Sequence, residues 1–194
     1  MKKITIAAAA FLLLFGVKHS NAQTKSFEFE TDPTSFFTNG YNFNFGYSIP
    51  HWAIRLVPYK TELPEFIHGN KDFKQNMLGV AFDLDYFFKE NNNGLFVGPV
   101  VIYSKDEIEN SYKQKINNDQ LLAGLRIGYR IMPFKKQREN LNGFYFTPFI
   151  APFYSFANDV AFTNGNSFEY KQFQFWGGIH LGYRINTRYN SSNE

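Results

Sequence analysis

The chain has 194 residues, 20 of them basic and 17 acidic, no cysteine, and a large aromatic share of 24 Phe, 12 Tyr and 2 Trp. The absence of cysteine excludes a disulfide framework and a thiol-linked lipid anchor. The whole excess of positive charge, Lys2, Lys3 and Lys18, lies in the first 22 residues, so the remainder is near neutral and gives no electrostatic case for nucleic acid.

Met1–Ala22 reads as a secretory signal peptide. Lys2 and Lys3 form a charged start, Ile4–Val17 an apolar run, and Ser20-Asn21-Ala22 a small-residue cleavage site. The run is shorter than the roughly 18–20 residues of a spanning helix, which argues against an N-terminal anchor, and no later apolar run reaches that length. The expected organisation is a signal peptide over 1–22, one barrel domain over 23–185 and a polar tail over 186–194.

Ser26–Thr31 alternates Phe27 and Phe29 with Ser26, Glu28 and Glu30, which predicts a short first strand. Asp32-Pro33-Thr34-Ser35 reads as a turn or a short helical start. Gly40–Ile49 is the second strand, with Tyr41, Phe43, Phe45, Tyr47 and Ile49 opposed to Asn42, Asn44, Gly46 and Ser48. After a break at Pro50, His51–Lys60 sets Trp52, Ile54 and Leu56 against Ala53, Arg55 and Val57. Thr61–Gln75 reads as a long loop. Asn76–Lys89 is the fourth strand, Glu90–Gly94 a tight turn, and Leu95–Ser104 the fifth strand. Lys105–Asp119 reads as a second long, charged loop. Gln120–Met132 is the sixth strand and Pro133–Asn142 a basic connection. Gly143–Ala157 is the seventh, although it carries Pro148 and Pro152, which a ladder tolerates at edges, strand starts or bulges. Asn158–Ser167 reads as a third long loop with a hairpin-like Asn164-Gly165.

Phe168–Ile185 is the eighth strand and the clearest. From Gln172 it reads QFQFWGGIHLGYRI: Phe173, Phe175, Gly177, Ile179, Leu181, Tyr183 and Ile185 fall on one face, apolar but for the glycine, and Gln172, Gln174, Trp176, Gly178, His180, Gly182 and Arg184 on the other, small or polar but for the tryptophan. The fold expected is all-β: an eight-stranded antiparallel up-and-down transmembrane β-barrel after a cleaved signal peptide. Long connections after odd strands and shorter ones after even strands match the layout of an outer-membrane barrel, with both termini in the periplasm. The inward sets of Leu95–Ser104 and Gly143–Ala157 stay open.

A soluble periplasmic barrel binding a small apolar ligand would show the same alternation with the apolar face turned inward. Three features favour the membrane. The polar face is rich in glycine (Gly46, Gly79, Gly124, Gly128, Gly178, Gly182), as a narrow lumen requires. It carries both signs of charge. Tyrosine recurs near strand ends, at Tyr41, Tyr86, Tyr103, Tyr129 and Tyr183, where an interfacial girdle would sit.

With its signal, eight strands, aromatic-glycine alternation and closing GGIHLGYRI, the chain resembles the small outer-membrane barrel families typified by OmpX- and OmpA-type barrels. The stretches FETDPTSFFTNGYNFNFGY and PEFIHGNKDF are similar to segments of bacterial outer-membrane barrels. Such barrels often end on an aromatic residue; here nine polar-rich residues follow Ile185. The resemblance implies a Gram-negative outer-membrane location and a structural or surface-interaction role, with the loops Thr61–Gln75, Lys105–Asp119 and Asn158–Ser167 presenting contacts. The partners expected are outer-membrane lipid, the barrel insertion machinery and an extracellular ligand met through the loops, with no nucleic acid, and the chain is expected to be a monomer.

Asp83, Asp85, Arg126, Arg130, Arg184 and His180 are the candidate lumen ion-pair network. Asp83 and Asp85 are expected to pair with Arg126, Arg130 or Arg184, because buried charges are acceptable only when paired. Eight strands leave an interior that side chains just fill, so this network is expected to plug the barrel. His180 is expected near Glu28 or Glu30 on the neighbouring first strand. His68 is a loop candidate for ligand contact, but it lacks a partner at metal-ligand spacing, so neither metal nor cofactor is assigned. Enzymes among such barrels, which modify lipid, use His with Ser and an acidic residue. No His-x-Ser pair follows the signal, so no catalytic residue is assigned and an enzyme is not expected.

Overall fold

Strand pairing in this chain closes on itself. The computed structural model describes residues 25–163 and 165–187; the expected signal peptide, Asn164 and the tail beyond Thr187 lie outside the described residues. The elements are β1 Lys25–Thr31, α1 Thr34–Phe37, β2 Tyr41–Ile49, β3 Trp52–Leu63, α2 Glu65–His68, β4 Phe73–Phe87, β5 Gly94–Asn110, β6 Lys115–Arg130, α3 Lys135–Asn140, β7 Gly143–Ser155, β8 Val160–Ala161, β9 Ser167–Phe168 and β10 Phe173–Thr187. Eight of the strands form one closed barrel in the order β1-β10-β7-β6-β5-β4-β3-β2, antiparallel throughout. The eight-stranded all-β barrel read from the sequence is therefore the observed fold.

Because strand side chains alternate between faces, closure assigns each residue to lumen or exterior. Phe27, Phe29, Phe45, Leu56, Phe82, Leu125 and Leu181 are exposed outside, while Glu28, Glu30, Arg55, Asp83, Asp85 and Arg126 are buried inside. A soluble ligand-binding barrel would be expected to show the opposite arrangement. The two strands left open now resolve: Phe96, Val100, Ile102 and Ser104 point inward on β5, and Tyr145, Thr147, Ala151 and Phe153 on β7.

Four ladder interruptions share one cause. Pairing lapses between Asn42↔Tyr59 and Phe45↔Leu56, between Asp83↔Val100 and Tyr86↔Val97, between Gly124↔Phe153 and Ile127↔Ile150, and between Gly128↔Phe149 and Ile131↔Phe146. Each lapse contains a proline: Pro58, Pro99, Pro152 and Pro148. Proline has no N–H to donate, so register is kept across each gap while the local bonds are lost.

Three expected boundaries shift. β5 and β6 run 17 and 16 residues, well beyond the roughly 9–11 that cross a bilayer. They stay paired out to Glu109↔Lys115, so the expected loop Lys105–Asp119 shrinks to the turn Ser111–Gln114. Its charged composition reads as a loop, but the charges bridge across the exposed ribbon, Lys115 to Glu107 at 2.8 Å and to Glu109 at 3.5 Å. The alternation of long and short connections fails there for the same reason. β3 and β4 likewise lengthen into Thr61–Gln75 and leave α2 at its centre. β10 begins at Phe173 and runs to Thr187, while Phe168 belongs to the separate β8–β9 hairpin.

That hairpin folds over the projecting ends of β4, β5 and β6. Ile108, Val160, Phe162, Phe168 and Tyr170 form a small apolar core there, with Phe73, Ile116 and Ala157 packed against it. Buried Asp106 joins this cap to the barrel: it accepts from Gln75 Nε2 at 2.7 Å, Ser104 Oγ at 2.6 Å and Tyr170 Oη at 3.1 Å.

Candidate functional site

The lumen divides into two stacked regions. In the lower one, near the β2–β3 and β4–β5 turns, the carboxylates of Glu28, Glu30, Asp83 and Asp85 face the guanidinium groups of Arg55, Arg126, Arg130 and Arg184, and all eight side chains are buried. The described charges balance. Buried ions are tolerated only with such compensation and with further hydrogen bonds.

The pairing is specific. Arg126 reaches Asp83 at 3.2 Å and Asp85 at 3.0 Å. Arg130 and Arg184 do not meet these aspartates; each lies 2.7 Å from Glu28, and Arg130 is 3.2 Å from Glu30. The glutamates of β1 take these two arginines because β1 closes the barrel against β10 and its carboxylates point across the lumen toward β6. Arg55 is the hub. It contacts Asp85 and lies 3.6–3.7 Å from Asp83, Glu30 and Glu28. His180 Nδ1 stands 2.9 Å from Glu30 and 3.0 Å from Arg126 Nη2. It can donate to the carboxylate or accept from the guanidinium, one at a time.

Aromatic rings and backbone complete the lower region. Arg126 lies 5.1 Å from the Phe96 ring centroid and 4.6 Å from that of Phe149. Arg130 is flanked by Phe87 at 4.6 Å and Tyr145 at 4.3 Å, and Tyr145 Oη donates to Glu30 at 2.8 Å. Glycine makes room for these rings: a methyl at Gly182 would overlap Tyr145, and one at Gly128 would overlap Phe96. Below them the β4–β5 turn supplies carbonyls, Asn91 O accepting from Arg184 at 2.8 Å and Asn92 O from Arg130 at 3.4 Å.

The upper region is hollow. A cavity of about 650 Å³ opens toward the α1 and α2 end. Its walls carry Val57, Tyr59, Ala81, Ile102, Ala151 and Phe153, and its floor is Asp83, Arg126, His180 and Asn44. The expectation that side chains fill the whole interior is therefore corrected for this half. Ala81, Val100 and Ala151 belong to one buried apolar cluster with Val57, Ile102 and Phe153, and their short side chains leave room beside it.

His68 is not an exposed loop side chain. It is buried, its ring 5.4 Å from that of Phe168, and its Nδ1 accepts from the Asn70 N–H at 3.1 Å. Burial lowers its pKa below the usual histidine value, with Lys171 acting in the same direction and Glu65 opposing. Among the described residues no three His, Asp or Glu side chains converge as a metal site would need.

Sequence reasoning named the polar face but omitted Arg55 and gave the glutamates of β1 only to His180. The signal was present. Arg55 alternates with Trp52, Ile54 and Leu56, and Glu28 and Glu30 alternate with Phe27 and Phe29, in the same parity that singled out Asp83 and Arg126. Tyr145 carried no such mark, because β7 could not be assigned a face.

No family model matches the chain, and no curated protein matches it. Among solved structures, the crystal structure of Neisserial surface protein A (NspA) aligns over 84% of this chain and 93% of that one, at 11% identity and a TM-score of 0.40. The fold assignment rests on the closed strand order, independently of that likeness.

Proposed function

We propose that this chain is an outer-membrane β-barrel with a structural or surface-interaction role. One observation carries the reading: across the lower barrel the large apolar side chains are exposed outside, while Glu28, Glu30, Arg55, Asp83, Asp85, Arg126, Arg130 and Arg184 are buried inside. Water would penalise an exterior bearing Phe27, Phe29, Phe45, Leu56, Phe82 and Leu181, whereas a bilayer solvates it. Closure of β1 on β10 over Leu181–Thr187 removes the sheet edge along the lower barrel, as the hydrocarbon region requires. Aromatic pairs mark both rims, Trp52–Tyr86 and Phe144–Tyr183 at one end and Tyr154–Phe173 at the other, which suits interfacial girdles.

On this reading the ion-pair network of Glu28, Glu30, Arg55, Asp83, Asp85, Arg126, Arg130, Arg184 and His180 plugs and rigidifies the periplasmic half, so the barrel does not conduct. The cap and the α1 and α2 connections face outward and present the contact surface. No catalytic role is assigned. Outer-membrane lipid and the barrel insertion machinery are the partners in assembly, and the chain acts as a monomer.

The test is a heat-shift gel on the detergent-extracted membrane fraction. Unboiled protein is expected to migrate apart from boiled protein and to be missing from the soluble periplasm. A soluble protein with a single band under both conditions would refute the reading.

A further inference from the structure

The barrel wall is incomplete beside the cavity. β1 stops at Thr31, opposite Leu181 of β10 and Phe43 of β2. From Phe173 to His180, β10 is paired with β7 alone among the described residues. The chain leaving β1 fills only the lower end of the gap, where the Asp32 carboxylate lies over Gly178 of β10 and lines the cavity. It then turns over β3, where Thr38 O accepts from the Glu62 N–H at 2.8 Å and the Thr38 and Thr61 hydroxyls meet at 2.7 Å. A notch results between the upper edge of β10 and β2. Phe173 and Phe175 lie on the exterior face of β10, yet they line the same cavity as the inward Trp176. The hollow upper lumen is thus continuous with the apolar exterior.

A second observation marks the same place. Phe37 on α1 is 88% exposed and Phe66 on α2 is 82% exposed, the two most exposed large apolar side chains described. Phe66 lines the cavity mouth, as do Ser35 and Thr38 beside Phe37. Bulky rings held outward at a rim suit immersion in an acyl layer better than contact with water.

We propose that the upper lumen receives one hydrocarbon chain of a membrane amphiphile, drawn sideways from the outer leaflet through this notch. The proposal rests on the membrane reading above. The cavity volume falls within the roughly 300–1,000 Å³ usual for ligand pockets; most of its exposed wall is apolar, although Asp32, Asn42, Thr61 and Gln174 also line it. The floor fixes the direction of entry. Arg126 is already committed to Asp83, Asp85 and the His180 ring, so it offers no free counter-charge to a headgroup. The chain enters tail first, and its polar head stays at the mouth beside Ser35, Thr38 and Lys171.

The two tryptophans supply the test. Trp176 lines the cavity, whereas Trp52 packs on Tyr86 at the opposite, exterior rim. Two full-chain variants, Trp52→Phe and Trp176→Phe, each leave one emitter. Both are folded into phosphatidylcholine vesicles and titrated with a lysophospholipid brominated along its chain. In the Trp52→Phe variant, emission from Trp176 should fall saturably at near-stoichiometric probe. Adding the cavity-filling change Ala151→Phe, or the milder Val100→Phe, should abolish that fall while the heat shift persists. In the Trp176→Phe variant, Trp52 should be quenched only in proportion to bulk probe, which separately reports membrane embedding. Trp52 quenched by bulk probe with Trp176 unquenched would overturn the proposal and leave the membrane reading standing. So would Trp176 quenching that survives both cavity-filling changes. Quenching of Trp176 by probe added from water to amphipol-held protein, with none from probe within the bilayer, would overturn the lateral route.

Discussion

The lower and upper halves of the lumen hang on the same strands and the same inward parity, yet one is filled with paired charge and the other is hollow. β3 shows the contrast within a single strand: Arg55 points into the ion network, and Val57, two residues on, points into the cavity. β4 repeats it with Asp83 below and Ala81 above. Barrel geometry thus decides only which residues face inward. Side-chain length and charge at those positions decide whether the space is rigid or receptive.

The comparison can be broken most directly at its hub. Arg55→Ala leaves four carboxylates short of a cation and is expected to cost about 3–5 kcal/mol, read as a lower denaturant midpoint for loss of the unboiled band. An unchanged midpoint would mean that the charged half is not what holds the barrel. Arg55→Lys should recover little, since one ammonium cannot reach around four partners as the guanidinium does.

Phe168→Ala removes the centre of the cap core and should cost about 3 kcal/mol, confined to that region. Protease cleavage within 156–172 should appear while the barrel's heat shift is retained. If barrel and cap melt together instead, the cap is part of the barrel's cooperative unit.

Adding methyl groups sharpens the contrast between the halves. Gly182→Ala pushes against the Tyr145 ring beside Arg130 and should cost about 1–3 kcal/mol. Ala151→Val, in the cavity wall, should change the same midpoint by less than about 1 kcal/mol, because open space lies before it. Equal losses at the two sites would argue against a hollow upper half.

The smallest effect is on pH. His68 has its folded pKa held below the unfolded value of 6.5 by burial, so between those two values the unfolded state binds the extra proton. The cap should therefore lose stability as pH falls below 6.5, with the loss complete below the folded pKa. Proteolysis of 156–172 followed against pH checks this, and His68→Phe should remove the dependence.

The strand count and the lumen parity were legible because alternation between lipid and lumen is the dominant pattern of such a chain. β10 alone carried Phe175, Ile179 and Leu181 against Gly178, His180 and Arg184. What stayed hidden depends on contacts that sequence spacing does not encode. The Lys105–Asp119 ribbon looked like a loop because its outward charges outnumber Ile108 and Ile116, whose burial depends on a hairpin some fifty residues away in the chain. The partners of Arg130 and Arg184 depend on β1 closing against β10, a contact between opposite ends of the sequence. The cavity depends on which inward positions are small at one height of the barrel, which is visible only after all eight registers are set.

The seven-residue β1 supplies two of the four lumen carboxylates, Glu28 and Glu30, which face Arg55, Arg130 and Arg184. Without it the lower lumen would hold four arginines against only the two aspartates of β4, a surplus of positive charge with no counterion. One short strand thus closes the wall and balances the charge, so the closed ring of strands and the neutral interior depend on each other.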